Sequence, residues 1–436
     1  MTLVYISFII FGRRNIAKMY KKVYNLFRIK KAKKGNEMKK NSKFTIFLIV
    51  LMGFNAAASF AHPVTPTLIV ERNLDSSMFG VALAAMMTSN FLFSPFWGKL
   101  CAYIPTKRVI LICSLGYAVG QMIFGAATTE VMVVGGRMFA GIFTGGVFTA
   151  FSNYVINTSH PDLRGKNLTL MVTVQNVCGA VGYFLGGIMG VVSVEFAFIC
   201  QIIVLAGTGV LFYILCEDDT QYKHIPEKKL SIKDANPFAA FMAAKSFMTP
   251  MLLLIFAMVA IAGVGQNSFE QCFNYYIKDQ FNMGSMYNGT IKAAIAALSL
   301  IFNSTLCMWM QKKTDTNKSF MWIMYAQTAF LLILLTFREL SITIICDVLF
   351  FSINAVRLPL LQTMTSMRTT PENSNQVMGF YQSMTSLGGI FGALFAGLIY
   401  KINPMYPFIL AAAAFVVASL IGFTYVGRYK KEKAVK

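Results

Sequence analysis

The sequence is poor in charge and poorer still in acid. Only 13% of its 436 residues are charged, with 18 Asp and Glu against 39 Lys and Arg. Soluble domains carry about 25% charged residues. With about half of that, and with 56% hydrophobic residues, the chain lacks the polar surface that soluble domains need. Motifs that carry chemistry are missing as well. There is no HExxH, no GxSxG, no nucleotide-binding loop and no acid pair on a large polar loop, which removes the common hydrolase and ATP-driven classes. The eight cysteines are scattered, mostly within apolar blocks, with no CxxC pair and no Cys/His cluster. That argues against zinc and redox centres, and they read as small buried hydrophobes. No catalytic residue, metal ligand or cofactor is assigned.

What the sequence does contain is apolar blocks of roughly 20 residues, the length that crosses a hydrocarbon core of about 30 Å. Twelve spans are predicted, at 44–70, 77–97, 107–127, 130–157, 165–191 and 194–216, then 250–277, 286–309, 318–337, 340–366, 375–400 and 405–427. Each must be helical, because a bare backbone finds no water in lipid. The fold class is therefore all-α integral membrane.

Basic residues alternate with the spans. Lys99, Lys107 and Arg108, then Arg164 and Lys166, then Lys223, Lys228, Lys229, Lys233 and Lys245, then Lys312, Lys313 and Lys318, and finally Arg428, Lys430, Lys431 and Lys433 occupy every second boundary and the C-terminal tail. The intervening loops are short and have little net positive charge. This pattern places the basic loops and both termini in the cytoplasm, as in a multi-pass protein of a cell membrane of the bacterial inner or plasma type. It also accounts for the net charge of +21 without invoking nucleic acid. The organisation that follows is a basic cytoplasmic segment at 1–43, a six-helix bundle at 44–216, a cytoplasmic linker at 217–249, a second six-helix bundle at 250–427 and a basic tail at 428–436. For the first segment two readings stand. It is a basic amphipathic stretch on anionic lipid, or translation starts at Met38 and 1–37 is an upstream extension. No A-x-A-like cleavage site follows its apolar run.

The two halves repeat. Shifted by 210 positions, Pro161-Asp162 falls on Pro371-Glu372, and Gly179, Gly182 and Gly187 fall on Gly389, Gly392 and Gly397. Six spans separate the matched elements, so the copies share one orientation. Parallel six-helix repeats joined by a basic loop are a transporter architecture.

Several segments resemble the major facilitator superfamily. They are His62-Pro63-x-x-Pro66 in span 1 and Ser94-Pro95-Phe96-Trp97-Gly98-Lys99-Leu100 at the end of span 2. Of the family's G-x-x-x-D-R/K-x-G-R/K-R/K signature the chain keeps Gly98, Lys107 and Arg108. Ala102 stands where the acid is expected, and Pro105 where the second glycine is. Span 4 has Arg137-x-x-x-Gly141-x-x-x-Gly145-Gly146. Span 5 has Gly182-Tyr183-Phe184-Leu185-Gly186-Gly187, similar to the end of the antiporter motif with Tyr183 in place of proline. The resemblance covers about 44–427 and leans toward the drug:proton antiporter branch. It implies twelve transmembrane helices in two pseudo-symmetric bundles, with spans 1, 4, 7 and 10 lining a central cavity. Gly98, Lys107, Arg108, Gly141, Gly145, Gly182, Gly186 and Gly187 are the candidate conformational motifs. Gly179, Gly182, Gly186 and Gly190 lie on one helix face. They serve either static close packing or a sliding contact between the halves.

Ionisable side chains inside spans cost at least a few kcal/mol each and, with the amides that share their helix faces, mark candidate pathway positions. Span 1 has Asn55 and His62, and span 4 has Arg137. Span 7 has Asn267, Glu270 and Asn274 on one face, and span 10 has Asp347, Asn354 and Arg357. At 1.5 Å per residue, His62, Arg137, Glu270 and Asp347 each lie roughly 9 Å outward of their span's middle, with Arg357 in the inner half. The expectation is an outer cluster in which Arg137 compensates one carboxylate. The other is then a candidate proton carrier, with Glu270 first. The competing reading is a gate held by ion pairs. Span 1 has no Asp or Glu, where many proton-coupled exporters of this family place an acid. Coupling would then fall to Glu270 or His62.

The expected function is secondary, proton-coupled efflux of small amphipathic compounds by alternating access. The partners are a small-molecule substrate, protons and the lipid bilayer, and a single chain suffices. The alternative is a facilitator or importer of a sugar, amino acid or organic anion, with Arg137 and Arg357 binding a carboxylate or phosphate. A lipid-handling membrane protein is a third class.

Overall fold

The computed structural model describes residues 44–75, 78–219, 223, 237–281, 285–400 and 402–435. The predicted basic N-terminal segment and much of the linker lie outside these residues, as does the side chain of Asn274. Met1–Ile49 and Val50–Lys436 are separate compact units. In the described part of the first, the Phe44 and Phe47 rings stack at 5.6 Å.

Each predicted span after the first falls largely on described helix. Among the described residues, ten helices are long and apolar enough to cross a membrane by length and composition. The first predicted span is instead broken into α1 (Phe44–Ala58) and α2 (Thr65–Glu71), with turns at 59–64. Pro63 explains the break: it has no N–H to donate, and its ring collides with the carbonyl four residues back. His62 therefore sits in a turn. The second span is α3 (Met78–Tyr103), which carries Pro95 inside it.

The next four are α4 (Thr106–Gly125), α5 (Glu130–Thr158), α6 (Pro161–Val192) and α7 (Val194–Leu215). Their ends follow local chemistry. Thr129 caps α5 by accepting from the Met132 N–H, and Ser193 caps α7 by accepting from the Phe196 N–H. Pro161 opens α6, where a missing N–H costs nothing.

Within the predicted linker, α8 (Pro237–Met242) and a short 3-10 turn precede α9 (Pro250–Phe281). Then come α10 (Ser285–Phe302), a π-helical turn at Asn303–Cys307 and α11 (Met308–Lys313), which together form one apolar span. Last are α12 (Thr316–Thr336), α13 (Leu340–Ser366), α14 (Ser374–Tyr400) and α15 (Tyr406–Val435).

Packing repeats the sequence symmetry. A Cβ on Gly182 or Gly186 of α6 would collide with the backbone at Ala56 and Phe60, in and just beyond α1. A Cβ on Gly392 of α14 would lie 2.7 Å from the Val264 carbonyl oxygen of α9. Gly179 lies 3.4 Å from Ser59 by the same measure, and Gly190 meets Val64. This face of α6 therefore packs within its own bundle, which corrects the reading of it as a sliding contact between halves. Gly187 meets nothing. Gly141 and Gly145 let α5 approach Met86 and Ser94 of α3, again within one bundle.

The bundles meet at the end that carries the basic loops. A Cβ on Gly98 would lie 2.6 Å from the Asn375 carbonyl oxygen and 2.8 Å from the Gly379 Cα. Ser383 donates to the Phe91 carbonyl at 2.6 Å, and Asn153 donates to the Asn375 carbonyl at 3.3 Å. A second seam joins α11, α6 and α13, where the Gln311 amide donates to Thr169 Oγ1 at 2.8 Å and to Thr363 Oγ1 at 3.3 Å. From α8, Phe241 contacts Phe91 at 4.9 Å and Phe380 at 5.1 Å, so the linker touches both bundles.

Candidate functional site

Beyond this seal the bundles part around two adjoining cavities. In α3 the seal lies at Ser94–Gly98 while the cavity wall reaches Leu83, about 16 Å beyond Ser94 at 1.5 Å per residue. The cavity nearer the seal measures about 340 Å³ and the distal one about 450 Å³. They share Ser59, His62, Gln266 and Asn267 as wall residues. Ligand sites are typically of this size and lie between bundle helices.

Of the expected outer cluster the distal cavity gathers His62, Arg137 and Glu270 but not Asp347, and Asn267, Asn354 and Lys292 join them. Lys292 Nζ lies 3.0 Å from Glu270 Oε1, and both groups are half-buried. Lys292 also stands 5.2 Å from the Phe351 ring. The expectation that Arg137 neutralises a carboxylate is corrected. Its Nη2 reaches Thr65 Oγ1 at 3.4 Å, its Nη1 reaches Met86 Sδ at 3.6 Å, and its guanidinium lies 3.8 Å from the Phe124 ring. Aromatic stacking suits a planar, weakly hydrated cation, and Glu270 is already held by a lysine on the neighbouring helix. Glu270 and Arg137 both act electrostatically on His62.

Asp347 is buried and lines neither cavity; its Oδ1 has no hydrogen-bond partner among the described residues. It lies in the electrostatic field of the Lys292–Glu270 pair without an ion pair of its own within 4.0 Å among the described residues. Tyr183, at the position where the antiporter motif has proline, lines the same cavity from α6 and interacts with both members of the pair.

The proximal cavity takes Asn55 and Arg357. The Asn55 amide is spent on the Leu51 carbonyl at 2.9 Å, and that of Asn267 on the Gly263 carbonyl at 2.9 Å, both within their own helices. Arg357 is held by Asn354 Oδ1, which accepts from Nε at 3.0 Å and from Nη2 at 2.7 Å. It also donates from Nη2 to Gln266 Oε1 at 2.8 Å. Of the remaining motif residues, Lys107 pairs with Asp218 at 3.1 Å, and Arg108 is exposed.

A sequence profile of the Major Facilitator Superfamily matches residues 44–358 and 349–436. The chain belongs to the Major Facilitator Superfamily. Among relatives within this superfamily, it is 22% identical over 408 residues to Multidrug resistance protein 2 of Bacillus subtilis (strain 168), covering 90% of this chain and 98% of that protein. It is 23% identical over 402 residues to the quinolone resistance protein NorA of Staphylococcus aureus (strain MSSA476), covering 89% and 97%. Its fold resembles that of the human organic anion transporter MFSD10, with a TM-score of 0.72 at 15% identity over 88% of this chain and 99% of that one. It also resembles the transporter FucP in the outward conformation, with a TM-score of 0.71 at 14% identity over 88% and 98%. The chain is a multi-pass member of this superfamily.

Sequence reasoning missed Lys292, although the signal was present. It lies about 8 Å outward of the middle of the 286–309 span by the same depth argument, at the level of Glu270. It also missed Asp219. That carboxylate is buried at the basic end, accepts from the Thr106 backbone N–H at 2.8 Å and from Asn157 Nδ2 at 2.7 Å, and also bonds the Thr106 hydroxyl. Asn157 in turn donates to Asn375 Oδ1 at 3.1 Å. An acid absent from the signature at Ala102 is thus supplied near α4 from the start of the linker.

Proposed function

We propose that the chain is a secondary transporter that exports small amphipathic compounds by alternating access, driven by protons. Both termini and the basic loops face the cytoplasm, and the described state opens away from it. The half-buried Lys292–Glu270 pair in a cavity walled by both bundles carries the reading. A proton on Glu270 removes the charge that holds Lys292 and frees the ammonium to re-partner, with Asp347 within its field. A substrate entering the cavity shifts the same balance, which ties the two occupancies together. Relatives that carry the names of multidrug and quinolone resistance proteins support an exporter with a loosely defined substrate. So does a cavity walled by flexible and aromatic side chains such as Met87, Tyr183 and Phe351.

The test is accumulation of neutral, cationic and anionic fluorescent amphipaths in a host stripped of its own efflux pumps. Expression of the chain lowers accumulation of at least one class, a protonophore restores it, and Glu270→Gln abolishes the effect. Export that survives both the protonophore and Glu270→Gln sinks proton coupling through this residue.

A further inference from the structure

The charged groups that line the two cavities are unbalanced. Among the described residues, Arg137, Lys292 and Arg357 face Glu270 alone, and counting the adjacent Asp347 still leaves one cation in excess. Lys292 is paired. Arg137 is stacked on Phe124, with its Nε sealed. Neither Arg137 nor Arg357 has a carboxylate within 4.0 Å among the described residues, and of the two it is Arg357 that keeps a guanidinium nitrogen, Nη1, neither hydrogen-bonded nor sealed.

The surroundings of Arg357 are built, not incidental. Asn354 Oδ1 takes two of its N–H groups and Gln266 Oε1 a third, which fixes the plane of the guanidinium. Asn354 is itself held by the Gln327 amide at 3.3 Å. Both partners are neutral amides, as is Gln327. They orient the cation without cancelling its charge. Nη1 makes no hydrogen bond among the described residues and is not sealed off by protein, while Arg357 lines the proximal cavity. Tyr117, Phe148 and Tyr381 line the same cavity and offer aromatic surface to an apolar body. A buried cation that lacks a counter-charge is costly, and the free Nη1 donors suit an anionic oxygen such as that of a carboxylate.

We infer that Arg357, posed by Asn354 and Gln266, is a carboxylate-recognising subsite in the proximal cavity, and that the preferred substrates are amphipathic acids with an aromatic or apolar body. The inference rests on the transport reading above and sharpens its substrate class. Recognition is by geometry as well as charge, so lysine at this position does not replace arginine.

The test uses the full chain in lipid nanodiscs and a matched pair of probes, naphthoate and naphthamide, which share shape and differ in charge. The wild type binds naphthoate at least tenfold more tightly than naphthamide. Arg357→Lys loses most of that preference, and Arg357→Gln loses all of it. In parallel, proteoliposomes report transport of a panel of neutral and cationic dyes. Equal binding of the two probes by the wild type, or a preference that survives both variants, overturns the subsite. Dye export with no acid preference overturns the subsite alone. Selective naphthoate binding with no transport of any probe overturns the transport reading and leaves the subsite standing. Should Arg357→Gln fail to fold, the wild-type probe pair and Arg357→Lys still decide.

Discussion

Asp219 and Thr106 are joined across 113 residues of chain: the buried carboxylate accepts the backbone N–H of Thr106 at 2.8 Å, at the first turn of α4. An acid at a helix N-terminus meets both free donors and the positive end of the dipole. Lys223, four residues on, donates to the Ile104 carbonyl at 2.6 Å, so the start of the linker is pinned at two points. Through Asn157 and Asn375 the same cluster reaches α14.

Asp219→Ala strands the Thr106 and Asn157 donors at a buried site. The expected loss is on the order of 3 kcal/mol, read as a lowered unfolding midpoint in detergent. Asp219→Asn keeps one acceptor and loses less. Equal midpoints for wild type and Asp219→Ala would show that the linker is not pinned.

Gly98 and Gly379 let the backbones of α3 and α14 touch. Gly98→Val places its Cβ against the Asn375 carbonyl and the Gly379 Cα, both backbone atoms that cannot swing aside. The seal at the basic end must open. Transport is expected to fall at least tenfold while the protein remains folded and binds lipid normally. Labels placed across this end should report a wider separation. An unchanged separation with full transport contradicts the role assigned to the seal.

The Lys292–Glu270 pair is half-exposed to a water-accessible cavity, so its contribution to stability is small, about 1 kcal/mol. Its signature is non-additivity. Lys292→Met and Glu270→Gln each lower the unfolding midpoint, and the double variant loses less than the sum of the two. Strict additivity would mean that the two groups do not sense each other.

Much of this arrangement is legible in the sequence, for physical reasons. His62, Arg137 and Glu270 stand out because ionisable groups are rare in apolar spans, and the rise per residue places them at one depth. They line one cavity. The repeat at 210 positions is visible in the glycines because close helix packing tolerates nothing larger, and Gly182 and Gly392 contact equivalent helices in the two bundles. Lys292 is harder to see: near the end of a span a lysine normally extends to the interface, and only the fold turns it toward Glu270. Arg137 misleads, because charge alone predicts a carboxylate partner while the guanidinium plane finds Phe124. The break in span 1 is signalled by Pro63, but a count of apolar residues runs through it. Asp219 lies in a polar loop where an acid carries no signal, and its hydrogen-bond partners Thr106 and Asn157 are more than 60 residues away in sequence.

The central claim is that substrate and proton movements are coupled through Glu270. The direct measurement is proton flux in proteoliposomes containing an entrapped pH indicator, recorded while a substrate gradient is imposed with no initial pH difference. The account predicts proton movement opposite to the substrate, at a rate set by substrate concentration and lost in Glu270→Gln. Substrate movement that proceeds at full rate with no proton flux, or proton flux unchanged by Glu270→Gln, would contradict it.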